Sequence, residues 1–380
     1  MLAGVARFDV CVVGAGVVGL NAALQLQRRG QTVAVIDRDH PGAGSSGLSV
    51  GVVGSQRIVP LEIELRAWSL RFLAGLEQFG LEVNRIGYLR LGRSAEAIAA
   101  FEESVALQRA AGCEAEVVDA ARLQSLVPHL RCDDLAGGLY GPDNGFVDGH
   151  QYCSVLAERL LAAGGRVLAR HRLLGAERPG SGGHRLVTDA DAIDCDAVVI
   201  AAGAWSGQVA GMLGVTIEIV PTRHVAAIVG LGAPLPYRMP MVMDYVPGFG
   251  GTGLNFRHER PGQLVTELHT GALTPVDPDG YARIVDVDEL EPLAALLLDR
   301  LPTLRDATLG RAWSGLYPDT PGGQPVVGPL DREGTIIAAA GVGGYGIQLS
   351  PAIGALAADW VIDRSPTTIP AARVLAPDRR

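Results

Sequence analysis

Three glycines and one aspartate carry the most legible chemistry in this chain. Gly14, Gly16 and Gly19 stand in the spacing G-x-G-x-x-G, with Ala15, Val17 and Val18 among them, and Asp37 follows downstream. In such a turn the first glycine permits the tight bend, the second lets a pyrophosphate approach the backbone, and the third lets helix and strand pack closely. The phosphates would lie at the N-terminus of the following helix, where unpaired N–H groups and the dipole favour negative charge. Asp37 is placed to accept hydrogen bonds from a ribose diol, and its carboxylate would repel a 2′-phosphate. The chemistry implied is dinucleotide binding.

The elements that must position these residues are written on either side of them. An apolar run from Val10 to Val13 stops at Gly14, and a helical pattern continues through Leu20, Ala23, Leu24 and Leu26 until Gly30. A second apolar run, Thr32 to Ile36, ends on Asp37. This is strand, turn, helix, strand, with an acid at the tip. Reading Val10 to Leu26 as a signal sequence or membrane span conflicts with the three glycines and Asn21 inside it.

Composition narrows the function classes. A chain of 380 residues is expected to form two domains, and 48% hydrophobic with 19% charged residues describes a globular protein with a large core. The net charge is −9 and no basic stripe occurs, so nucleic acid is not an expected partner. Five cysteines without a CxxC pair point to thiols in a reducing compartment, and no metal site is expected. All 32 basic residues are arginine. A lysine Schiff base and a Walker-type phosphate lysine are therefore excluded, and any catalytic cation must be arginine or histidine.

Periodicity predicts further helices over 61–79, 94–111, 122–130, 150–163, 287–298 and 348–362. Strands are predicted over 85–91, 166–171, 185–189, 195–202, 217–229, 263–268 and 335–340. The stretch from Pro234 to Pro261 reads as Gly- and Pro-rich chain. Behind Asp37 a loop containing Ser45 and Ser46 offers hydroxyls and N–H groups either to a cofactor or to solvent. Near the C-terminus an apolar strand, a glycine turn (Gly341 to Gly346) and a helix repeat the logic of the N-terminus.

Four segments together resemble the D-amino-acid oxidase superfamily of FAD enzymes: GAGVVGLNAALQLQRRGQTVAVIDRD (Gly14 to Asp39), DAVVIAAGAWS (Asp196 to Ser206), WSGLYPDTPGGQPVVGP (Trp313 to Pro329) and AAGVGGYGIQLSPAIGALAADWVI (Ala339 to Ile362). The resemblance spans nearly the whole chain. It implies an α/β fold in which a discontinuous Rossmann-like FAD-binding domain (1–86, 141–216 and 306–375) carries a second α+β domain with a mixed sheet (87–140 and 217–305) for the substrate. Besides the first glycine turn, it implies FAD contacts from Asp37, Arg38, Ser45, Ser46, Val50, Gly51, Val52, Val167, Ala202, Gly203, Trp205 and Gly315. It adds the C-terminal turn: Gly341, Gly343, Gly344, Tyr345, Gly346, Ile347 and Gln348. The implied chemistry is oxidation of a C–N bond in a small amino acid or secondary amine, such as an N-alkyl glycine, a cyclic imino acid or a D-amino acid. The acceptor would be oxygen, a quinone or a partner flavoprotein, in the cytoplasm or at a membrane surface if quinone-linked.

Departures from the family pattern refine the expectation. D-amino-acid and glycine oxidases carry a substrate-clamping arginine where this chain has Tyr317. Arg57 falls where monomeric sarcosine oxidase has an arginine near the flavin, which makes it the candidate for a substrate carboxylate; a surface ion pair with Glu62 or Glu64 is the alternative. Tyr345 and Gln348 complete the expected catalytic set. Gly315 and Leu48 replace the cysteine and histidine that anchor flavin covalently in relatives, so non-covalent FAD is expected. His150 stands where the β subunit of heteromeric sarcosine oxidase bears a second flavin, or else it simply heads a helix. Two rival readings remain: a 2-hydroxy-acid dehydrogenase using His224 or His258 as base, and a flavin-carrying subunit of a heteromeric complex.

Overall fold

The computed structural model describes residues 6–180, 182–245, 253–269 and 274–377. The first β-α-β unit forms as its sequence dictates. Ala6–Val13 runs into Gly14, Val17–Arg28 is the helix, and Val33–Ile36 returns parallel to the first strand. Ala192–Ile200 pairs parallel on the other side of Ala6–Val13, and Ile336–Ala340 pairs parallel with its last residues. Arg166–Leu168 extends the sheet beyond Val33–Ile36. Antiparallel strands Leu173–Glu177 and His184–Thr188 at one edge, with Val326–Pro329 beside Ile336–Ala340, bring it to eight strands. A sheet with parallel strands at its centre needs cover on both faces, and the near-continuous apolar strands supply it: Val10, Cys11, Val12, Val198, Val199 and Ile200 are all buried.

Two helices, one from each end of the chain, lie side by side on this sheet. Gly346–Ile362 packs against Val17–Arg28 so closely that a side chain on Gly354 would stand 2.6 Å from the Ala22 nitrogen. Asn21, buried between them, donates to the Val17 carbonyl at 2.8 Å, to the Tyr152 hydroxyl at 2.8 Å and to Ser350 Oγ at 3.2 Å. Its two amide hydrogens are shared among these three acceptors while its Oδ1 has no partner among the described residues, and the bonds link three helices.

A second eight-stranded sheet stands opposite. Its order is Thr308–Asp319, Val220–Gly230, Gln263–His269, Gly253–Arg260, Met241–Met243, Tyr88–Gly92, Gly137–Gly141 and Glu116–Val118. Every pairing is antiparallel except that of Met241–Met243 with Tyr88–Gly92. Val52–Val53, Gly145–Phe146 and Asn84–Arg85 make a small third sheet.

Several expectations are corrected. The helix predicted over 122–130 is Ala120–Leu126, because Asp119 caps it (accepting from Arg122 N–H at 2.8 Å) and Pro128 forces Val127 out of helical geometry. The strand predicted over 166–171 stops at Leu168, since the chain turns through Arg170 at φ 58°. The Gly- and Pro-rich stretch holds the strands Met241–Met243 and Gly253–Arg260, with 246–252 outside the described residues. Thr308–Asp319, just past the boundary placed at 306, pairs in the second sheet with Val220–Gly230. All five cysteines are free; three are buried, whereas Cys113 and Cys132 are half-buried.

Candidate active site

A long cleft is lined by residues of both large sheets, and the first glycine turn forms part of its floor. Gly14 takes φ 114°, and a side chain there would collide with the Ala201 carbonyl, while one on Gly19 would collide with the Gly14 carbonyl. These two clashes keep strand, turn and helix in contact. Gly16 heads the Val17–Arg28 helix without a capping side chain of its own, and Gly16, Val17 and Val18 line the cleft. Ser46 Oγ accepts the Val17 N–H at 3.1 Å. Asp37 ends the second strand and accepts from the Ala15 N–H (2.7 Å) and the Asp39 N–H (2.9 Å), which aims its carboxylate along the cleft wall.

Of the expected cofactor residues, Gly14, Gly16, Val17, Val18, Asp37, Arg38, Ser45, Ser46, Val50, Ala202, Gly203, Trp205, Gly315, Gly341, Gly343, Gly344, Gly346 and Ile347 line this cleft. Ala15 and Gly19 serve it from behind. Gly51 and Val52 turn away into the small third sheet, Gly51 with φ 76° against the Val147 carbonyl. Val167 pairs beside Val35 and does not line the cleft; the loop that follows it, at His171 to Leu173, does. A side chain on Gly315 would meet Leu48 at 3.5 Å, so the two positions at which the resemblance would place a covalent anchor face each other here without a nucleophile. His150 lies under the Gly42 to Gly47 loop, where a side chain on Gly47 would strike its ring, and it does not line the cleft.

The outer mouth is closed by a contact that no motif announced. Asp279 Oδ1 accepts from Trp205 Nε1 at 2.9 Å and from Arg38 Nη1 at 2.8 Å, and Arg38 stacks over the Trp205 ring at 3.9 Å.

The inner end is polar and crowded. Tyr317 packs against Gly344, stacks on His224 with ring centroids 3.7 Å apart, and donates to Glu267 Oε1 at 3.1 Å. Burial pushes His224 down to about 4, and its Nε2 is paired with Thr222 Oγ1 at 3.0 Å. Burial likewise holds His269 at about 4, stacked on Tyr245 at 4.3 Å. Sequence reasoning missed Glu267, whose place in an alternating strand gives no local sign that it faces a cleft.

Arg57 and Tyr345 sit on the far side of the C-terminal glycine turn, around a small cavity of about 40 Å³ that also touches Gly341 to Gly343. Arg57 is paired with Glu62, as the alternative held, but the pair is buried rather than superficial, with 12% of each side chain exposed. Arg66 reaches Glu62 Oε2 at 3.3 Å and the Gln348 Oε1 at 3.3 Å. Both guanidiniums lie over the Tyr345 ring, at 4.6 and 5.2 Å. Burial alone would raise the Tyr345 phenol, but the Arg57 charge, the Tyr245 hydrogen bond and the Arg90 and Arg66 charges together outweigh it and the net direction is down. Burial, then the Arg57 charge, pushes Arg66 down to about 9, so it stays protonated at neutral pH.

The sequence matches the family described as FAD dependent oxidoreductase over residues 9–360. It is 27% identical to the glycine oxidase of Geobacillus kaustophilus over 93% of both chains. It is also 27% identical to the formaldehyde-forming 4-methylaminobutanoate oxidase of Paenarthrobacter nicotinovorans, over 93% of this chain and 44% of that protein. The crystal structure of L-proline dehydrogenase from P. horikoshii superposes with a TM-score of 0.86 at 22% identity, covering 97% of this chain and 96% of that one, which shows a shared fold. With a match that takes in both glycine turns and both sheets, the chain belongs to the FAD dependent oxidoreductase family.

Proposed function

We propose that the protein oxidises the C–N bond of a small amino acid or secondary amine, of the N-alkyl glycine, cyclic imino acid or D-amino-acid type. The observation that carries this reading is the similarity, over 93% of the chain, to a glycine oxidase and to a 4-methylaminobutanoate oxidase; the state of His224 agrees with it. A hydroxy-acid dehydrogenase needs a base for the hydroxyl proton. His224, the one proposed base that lines the cleft, is depressed to about 4 and already bonded to Thr222. His258 does not line the cleft. Amine oxidation makes no such demand on an imidazole.

The cleft residues fit the cofactor. The N-terminus of Val17–Arg28 with Gly14 and Gly16 would hold its phosphates, Asp37 its ribose, and the uncapped N-terminus of Gly346–Ile362 the flavin end. FAD, when bound, supplies a two-electron acceptor for the hydride on the carbon next to nitrogen, and the resulting imine is hydrolysed by water. Gly315 and Leu48 favour non-covalent attachment. Arg57, beside Tyr345 and across the C-terminal glycine turn from the cleft, is proposed to draw the substrate carboxylate by its charge, with Gln348 held by Arg66 in the same cluster; two guanidiniums share the single carboxylate of Glu62, so the cluster keeps a net positive charge. Tyr317 and the neutral His224 stacked on it shape the inner wall.

The test is anaerobic mixing of the FAD-loaded protein with panels of amines and hydroxy acids while following the flavin absorbance. Bleaching by an amino acid or N-methyl glycine is the expected result, and admitting air then reports whether oxygen accepts the electrons. Bleaching by hydroxy acids alone would overturn the reading. A yellow protein bleached by neither panel would favour the flavin-carrying subunit instead.

A further inference from the structure

The inner end of the cleft holds an acidic side chain that the family motifs do not touch. Glu267 sits in the Gln263–His269 strand with His269 on the same face. Its Oε1 is tied down twice, by Asn255 Nδ2 at 2.7 Å and by the Tyr317 hydroxyl at 3.1 Å. Among the described residues its Oε2 has no donor, and the side chain lines the cleft. One oxygen is anchored and the other is available.

The groups facing Glu267 do not neutralise it. On its own strand His269 is neutral, as is His224 on the neighbouring Val220–Gly230 strand. Burial raises the phenols of Tyr317 and Tyr245, so both stay protonated. Arg257, on the adjacent strand, spends its guanidinium on the Val50 carbonyl and on Glu259. A carboxylate withdrawn from water without an ion pair of its own is costly, and a cation arriving in the cleft would offset that cost.

We propose that Glu267 receives the ammonium group of the substrate and takes one of its protons, which makes this end of the cleft a recognition site for a cationic primary or secondary amine. The inference rests on the amine-oxidation reading and assigns a residue within it. In the step, one N–H bond breaks, its electron pair stays on nitrogen as the lone pair, and the proton is held on Oε2 of Glu267; no atom changes oxidation state. The neutral amine is the form from which a hydride can leave the adjacent carbon. Burial raises the Glu267 carboxyl above the ordinary glutamate range, with Asn255, Tyr317 and Arg257 opposing, so it is a stronger proton acceptor than an exposed glutamate.

The test compares FAD-loaded wild type with Glu267→Gln, whose amide oxygen can still accept from Asn255 and Tyr317. Two ligands are used: the amine that best bleaches the wild type, and (methylthio)acetate, which has no N–H and is followed by its perturbation of the flavin spectrum. The variant is expected to lose about 10- to 100-fold in apparent affinity for the amine, the range for a hydrogen bond to a charged group, and to bind the thioether as wild type does. The acidic limb of the pH profile of flavin reduction, which reports ionisation of Glu267, is expected to vanish. Tyr317→Phe is the second variant. It removes a donor that stabilises the carboxylate, so the acidic limb should move to higher pH. Equal losses for amine and thioether, or a pH profile unmoved in both variants, would overturn the assignment. Amine reduction that is unchanged in Glu267→Gln sinks this inference alone, whereas a wild type that no amine reduces or perturbs removes the functional reading and this one with it.

Discussion

Glu62 is held by two guanidiniums at once. Arg57 pairs with its Oε2 closely, Arg66 reaches the same oxygen at 3.3 Å, and Gln324 approaches Oε1 at 3.4 Å. Burial alone would raise this carboxyl, but Arg57 and then Arg66 outweigh it and hold it below the ordinary glutamate value. A carboxyl depressed in the folded state contributes stability that is fully present above its unfolded pKa and is lost as pH falls through the folded one. Glu62→Gln leaves two cations facing each other in a buried site, where removing one partner of an ion pair costs about 3–5 kcal/mol. The variant should therefore melt well below wild type at pH 7, and the gap should narrow below about pH 4, where the wild-type carboxylate begins to protonate. Denaturation midpoints measured across that range check it; a gap independent of pH would mean that packing, not charge, sets the difference. The sequence made Arg57 and Glu62 visible as a pair. What it could not supply was burial, and burial turns a weak surface contact into a charged cluster beside the second glycine turn.

Asp279 shows how an element, rather than a residue, closes the cleft. It belongs to the chain between the Gln263–His269 strand and the Val287–Arg300 helix, and it reaches across to Arg38 behind the first β-α-β unit and to Trp205 at the end of Ala192–Ile200. Tyr281 and Arg283 of the same segment also line the cleft. Asp279→Ala should release this strap, so bound flavin should be lost several-fold faster on dilution, as followed by the rise in flavin fluorescence. The melting temperature of the flavin-free protein should hardly move, because the Asp279 side chain is 53% exposed. An unchanged release rate would show that the strap does not gate the cofactor. The elements legible in the sequence were those governed locally: a strand ending in glycine, a helix opened by Asp148 or Ser94, a turn only glycine can make. Thr308–Asp319 escaped because its strand character comes from a distant partner, Val220–Gly230, and Gly253–Arg260, although it forms a hairpin with Gln263–His269, escaped because its own residues do not alternate cleanly. Glu267 and Asp279 escaped for the same reason: each acquires its role from what the sheet or the strap places opposite it.

At the scale of the whole molecule the cleft draws its walls from both ends of the chain and from both large sheets. Gly14, Gly16 to Val18, Gly341 to Gly344, Gly346 and Ile347 follow strands of the parallel-centred sheet, while Gly315 to Pro318, His224 and Glu267 come from the other. Direct bonds already tie the two: Ser45 Oγ to the Leu316 carbonyl at 2.7 Å, Trp313 Nε1 to the Leu48 carbonyl at 2.8 Å, and Arg257 Nη2 to the Val50 carbonyl at 2.8 Å. A cofactor bound between them adds contacts to both sides and binds neither in the unfolded chain. Such a ligand stabilises by about 2.7 kcal/mol at a hundred times its Kd, which for a chain of this size corresponds to a shift of roughly a few degrees. The two sheets should therefore unfold together in one transition whose midpoint climbs with FAD concentration, seen equally by far-ultraviolet circular dichroism and by the fluorescence of Trp313 and Trp205. Two transitions, with FAD moving only one of them, would mean that the second sheet merely rests on the first. In that case the inner-wall residues Tyr317, His224 and Glu267 would be positioned by their own sheet alone, and the cofactor would be held by the β-α-β unit and the C-terminal turn.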